Sequence, residues 1–68
     1  MMKAYLVSTF TDSGKVNAWV YAEGELPEEY HAVLADGGYA SRENYDLYVD
    51  EFNSMDEAIE KRAEALKA

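Results

Sequence analysis

The chain has 68 residues, no cysteine and a formal charge of −8, with 49% apolar residues. That is one small domain, too apolar for disorder and unable to use disulfides, thiolates, zinc fingers or iron–sulfur clusters. No apolar run approaches the roughly 20 residues of a membrane span, and the start "MMKAYLVSTF" lacks the longer apolar core of a signal peptide, so the expected location is the cytoplasm.

The first predicted element is a strand, "KAYLVSTF", with Tyr5 and Val7 on one face and Ala4, Leu6 and Phe10 on the other. "TDSG" supplies turn-formers, and Gly14 is free to take a positive φ. "VNAWVYA" resumes β character, which predicts a hairpin. In this second strand Val16, Ala18, Val20 and Ala22 alternate with Asn17, Trp19 and Tyr21. The small residues suit a closely packed helix, which leaves Trp19 and Tyr21 on the more exposed face.

The period then changes. In "GELPEEYHAVLADGG", Pro27 suits a helix start, and Glu28 and Glu29 lie near its positive end. Tyr30, Val33 and Leu34 form an apolar stripe, and "DGG" stops the helix. "YASREN" reads as a loop. "YDLYVDEF" is the third predicted strand, with Tyr45, Leu47 and Val49 inward and Asp46, Tyr48, Asp50 and Phe52 outward. The closing helix begins at the capping-box sequence "SMDE", Ser54 to Glu57. Met55, Ile59, Ala63 and Leu66 are its expected buried stripe, and Glu57 and Lys61 an i,i+4 ion pair. The tail "SMDEAIEKRAEALKA" resembles the closing helix of many small antitoxin-like and phage-encoded domains. Capping and helix propensity alone produce that likeness, and it implies no function.

The predicted order is ββαβα: a single α+β domain, 1–68, of two layers. Three mostly antiparallel strands carry two helices on one face. Val16, Val20, Val33, Leu47, Val49, Ile59 and Leu66 form the expected core. The other sheet face, with Trp19, Tyr21 and Tyr48, has no internal cover.

No catalytic, cofactor or metal residue is predicted. Four residues of regular strand put Asp46 and Asp50 about 13 Å apart, beyond the roughly 5–9.5 Å of a glycosidase pair and the reach of one magnesium ion. Asp56, Glu60 and Glu64 make an acidic helix ridge without a histidine to join it, which reads as a solvated face. His31 has no nucleophile in a G-x-S-x-G setting and reads as a boundary residue. Neither "DSG" nor "DGG" has the glycines and following helix of a phosphate cradle.

The charge is uneven. Residues 23–57 hold eleven carboxylates against Arg42 alone, while both ends are slightly basic. This field repels nucleic acid and attracts a basic protein. Aromatic residues ringed by carboxylates suit a protein interface. The expected function is therefore a non-enzymatic protein-binding module, in its sharper form an inhibitor or adaptor that imitates nucleic acid toward a basic, nucleic-acid-handling partner. Size and charge suit a phage or mobile-element protein. The expected partner-binding residues are Trp19, Tyr21, Asp46, Tyr48 and Asp50. The alternative is a self-associating domain that forms a homodimer through the uncovered face or an open strand edge. A metal-assisted hydrolase comes last.

Overall fold

The first hairpin forms as its pattern dictates. In the computed structural model, which describes residues 3–67, β1 (Ala4–Thr11) and β2 (Val16–Ala22) pair antiparallel. Thr11 closes the turn. Its N–H donates to the Lys15 carbonyl at 2.9 Å, and its hydroxyl oxygen accepts from the Lys15 N–H at 3.0 Å. Gly14 sits at φ 88°, the left-handed region that this connection needs.

Helix α1 (Glu28–Ala35) starts where Pro27 fixes the backbone, and the Pro27 carbonyl accepts from the N–H groups of Tyr30 and His31. It ends in a Schellman motif. The Gly38 N–H donates to the Val33 carbonyl and the Gly37 N–H to that of Leu34, with both glycines at positive φ. Gly38 has a second task. Its carbonyl accepts from the Val49 N–H at 2.9 Å, and a Cβ there would lie 2.7 Å from the Val49 oxygen. The helix stop thus delivers the chain directly onto a strand edge.

That delivery creates an element the sequence pattern hides. Residues expected as loop form a short strand, β3 (Tyr39–Ser41), paired antiparallel with β4 (Tyr45–Phe52). Three residues are too few to show alternation, and the turn-formers around them dominate the local pattern. The sheet has four strands in the order β2-β1-β4-β3, all antiparallel. The α+β class stands, with one more strand than expected.

The helices flank opposite faces of the sheet, not the single face expected. The register decides this. Val7 lies opposite both Trp19 and Val49, so these three share a face. Ser8 lies opposite Ala18 and Tyr48, which share the other. Helix α1 covers the first face with Val33, and with Leu26 it completes a core of Tyr5, Val7, Leu47 and Val49. Tyr21, Tyr30, Leu34 and Ala40 pack around it. Helix α2 (Met55–Lys67) covers part of the second face, over β2 and β1 more than β4. Each strand's alternation follows the sequence pattern. The expected grouping of Val16 and Val20 with Leu47 and Val49 does not, because the register turns those pairs to opposite sides.

Helix α2 also rotates relative to its expected stripe. Ser54 caps it, accepting from the Glu57 N–H at 3.2 Å. Ala58 is fully buried, Ala65 is half-buried, and Arg62 reaches the sheet. Met55, Ile59 and Leu66 stay 37%, 50% and 43% exposed, and Ala63 is exposed as well. The sheet beneath presents Ala4, Ser8 and Ala18. An alanine stripe approaches such a floor more closely than a Met/Ile/Leu stripe, so the bulky residues are turned aside. Lys61 pairs with Glu64 at 3.3 Å, in place of the expected Glu57.

Candidate functional site

The five expected partner-binding residues do not share a surface. Trp19 and Tyr21 lie on the α1 face, whereas Asp46, Tyr48 and Asp50 lie on the α2 face. The physical reason is the same register that separates the two cores. Tyr21 is half-buried beside Tyr30, with ring centroids 6.2 Å apart, and serves the core. Trp19 remains 44% exposed at the outer strand. The trio on β4 does stay together.

Helix α2 leaves the β4 half of its face bare. A groove of about 440 Å³ runs there. Leu6, Ser8 and Phe10 form its floor, Tyr48, Asp50 and Phe52 one wall, and Lys61 and Ala65 the other. Tyr48 is the centre of an aromatic chain. It meets Phe10 edge-on at 5.4 Å and Tyr39 at 5.1 Å. Sequence reasoning missed Tyr39 and Phe10 as members. Tyr39 needs β3 to reach Tyr48, and Phe10 needs the β1–β4 register, which places it opposite Asp46.

The acids flank this aromatic chain. The Tyr39 hydroxyl donates to Asp46 Oδ1 at 3.0 Å. That bond to a carboxylate holds the phenolic proton and raises the Tyr39 pKa above its ordinary value. Asp50 is exposed as a residue, yet partial burial of its carboxyl beside the apolar groove raises its pKa above the ordinary value. Lys61 brings a positive charge to the rim, but Glu64 already neutralises it.

The β1–β4 register runs unbroken from Ala4↔Phe52 to Thr11↔Tyr45. No bulge brings Asp46 and Asp50 together, so four strand residues keep them about 13 Å apart. Among the described residues, no three His, Asp or Glu side chains cluster as a metal site requires. His31 is exposed and stacks edge-on to Tyr5 at 6.0 Å. Spaced carboxylates around exposed aromatic rings can hold one or two cationic groups over a ring face. No described helix is long and apolar enough to cross a membrane.

No protein-family model, curated protein or solved structure gives a significant match to this chain.

Proposed function

We propose that the protein is a non-catalytic binding module whose α2-face groove receives a basic segment of another protein. The observation that carries this reading is the arrangement on β4: exposed Tyr48 lies between Asp46 and Asp50, beside a groove that α2 leaves open. A lysine or arginine side chain fits it in two ways. Its cation can sit over the Tyr48 ring, and its neighbours can pair with the two carboxylates. The surrounding charge of −8 draws a basic partner in and repels nucleic acid. An inhibitor or adaptor of a basic, nucleic-acid-handling protein in the cytoplasm would work this way, with carboxylates standing where phosphates would.

The test is a titration with a lysine- and arginine-rich peptide, followed by amide chemical shifts. Shifts confined to the β4 groove and abolished at high salt support the reading. Shifts spread evenly over all acidic positions, or none at all, contradict it.

A further inference from the structure

The two edges of the sheet are unlike. Strand β3 has only three residues, a short edge of the kind that resists pairing. Strand β2 has seven residues and no charge, in a chain carrying −8. It also has no proline. The alternation of the ladder fixes which of its groups are free. The Thr11 N–H bonds the Lys15 carbonyl, so Lys15, Asn17, Trp19 and Tyr21 turn their backbone groups toward β1. Val16, Ala18, Val20 and Ala22 turn theirs outward. Arg62 Nε donates to the Ala18 carbonyl at 3.1 Å, which agrees with that assignment.

The flank of α2 on this side carries three apolar side chains around Arg62. Met55, Ile59 and Leu66 fall on one helix face. Ile59 borders a hollow with Ala18, Val20 and Arg62, which places that face over the β2 edge.

We propose that β2 pairs antiparallel with β2 of a second copy, about a two-fold axis through Trp19, to give a continuous eight-stranded sheet. Only residues with outward groups can exchange ladder bonds. This register matches Ala18 with Val20 and Val16 with Ala22 of the second copy. Trp19 then meets its own equivalent as a close cross-strand aromatic pair. The register also brings Lys15 opposite Glu23, twice by symmetry, so the charges flanking the two strands are complementary, while each Arg62 stays tied to its own Ala18 carbonyl at the edge. Among the described residues Lys15 makes no other ion pair. The Ala18 oxygen keeps a second lone pair, so Arg62 can stay bound.

The helices fit the same geometry. Helix α2 sits over β2 and β1, about one strand spacing of ~4.8 Å from the axis. Two copies therefore place their helices about 10 Å apart, within ordinary helix-packing distance. Met55, Ile59 and Leu66 become the contact. This inference stands apart from the groove, which lies on the far side of α2, and both grooves would open on the same side of the joined sheet.

Sedimentation equilibrium tests it. The wild type should reach twice the 7.7 kDa chain mass. Val20→Pro removes an outward N–H and no β1 bond, so it should sediment as a folded monomer. Lys15→Glu or Glu23→Lys should each weaken association on the order of tenfold, and the double exchange should restore it. A wild type that stays monomeric at every concentration overturns the proposal. So does a dimer indifferent to both single charge reversals, which also decides the matter if Val20→Pro does not fold.

Discussion

The two faces of the sheet are built from different materials. On the α1 face, Tyr5, Val7, Leu47 and Val49 meet Val33 and Leu26 in a closed core. On the α2 face the buried residues are mostly small: Ala4, Ser8, Ala18 and Ala58, with Leu6 the exception. The same face exposes Tyr39, Tyr48, Met55, Ile59 and Leu66. Apolar area removed from water stabilises at about 25 cal/mol per Å², so the α1 face holds most of the hydrophobic stabilisation. The α2 face has surplus aromatic and acidic surface that folding does not use. A small domain can thus assign stability to one side and leave the other free for the recognition proposed above.

The largest test of this contrast is truncation in each layer. Leu47→Ala, buried on the α1 face, should cost about 2–5 kcal/mol in urea unfolding. Leu66→Ala, exposed on α2, should cost less than about 1 kcal/mol. Equal losses would remove the asymmetry. Gly38→Ala comes next, because it combines positive φ with a 2.7 Å clash against the Val49 carbonyl. About 1–3 kcal/mol should be lost, with faster hydrogen exchange along β3. Removing the cap with Ser54→Ala should cost about 1 kcal/mol. It should fray the start of α2 and leave the α1 face unchanged by near-ultraviolet circular dichroism.

The smallest effect concerns pH. Asp50 has a raised pKa in the folded state because burial disfavours its charge. Its ionised form therefore opposes folding. That penalty is absent below the unfolded aspartate pKa, grows as pH rises, and is complete above the folded pKa. Asp50→Asn should raise the melting temperature slightly at neutral pH, and the difference should vanish in acid. A lower melting temperature at neutral pH would show that the carboxylate has a stabilising partner instead.

Much of this was legible in the sequence, strand by strand. Period-two alternation placed β1, β2 and β4, and Pro27, the glycines after Asp36 and Ser54 marked the helix boundaries. Alternation assigns each strand two faces but cannot say which face of one strand adjoins which face of the next. Pairing register does that, and register is a long-range property. Hence Trp19 and Tyr21 parted from Tyr48, and Phe10 and Tyr39 joined it. The rotation of α2 was hidden for a related reason. The choice between its Ala58 stripe and its Met55/Ile59/Leu66 stripe depends on the small residues of the sheet below it.

The most direct measurement compares capture of a partner from cell lysate by three forms of the protein: wild type, Trp19→Ala, and the combined Asp46→Asn, Tyr48→Ala and Asp50→Asn variant. Recognition by the α2-face groove predicts a basic protein bound by the first two forms, released by high salt, and lost from the third while that variant remains folded. A partner held equally by the combined variant would contradict the account.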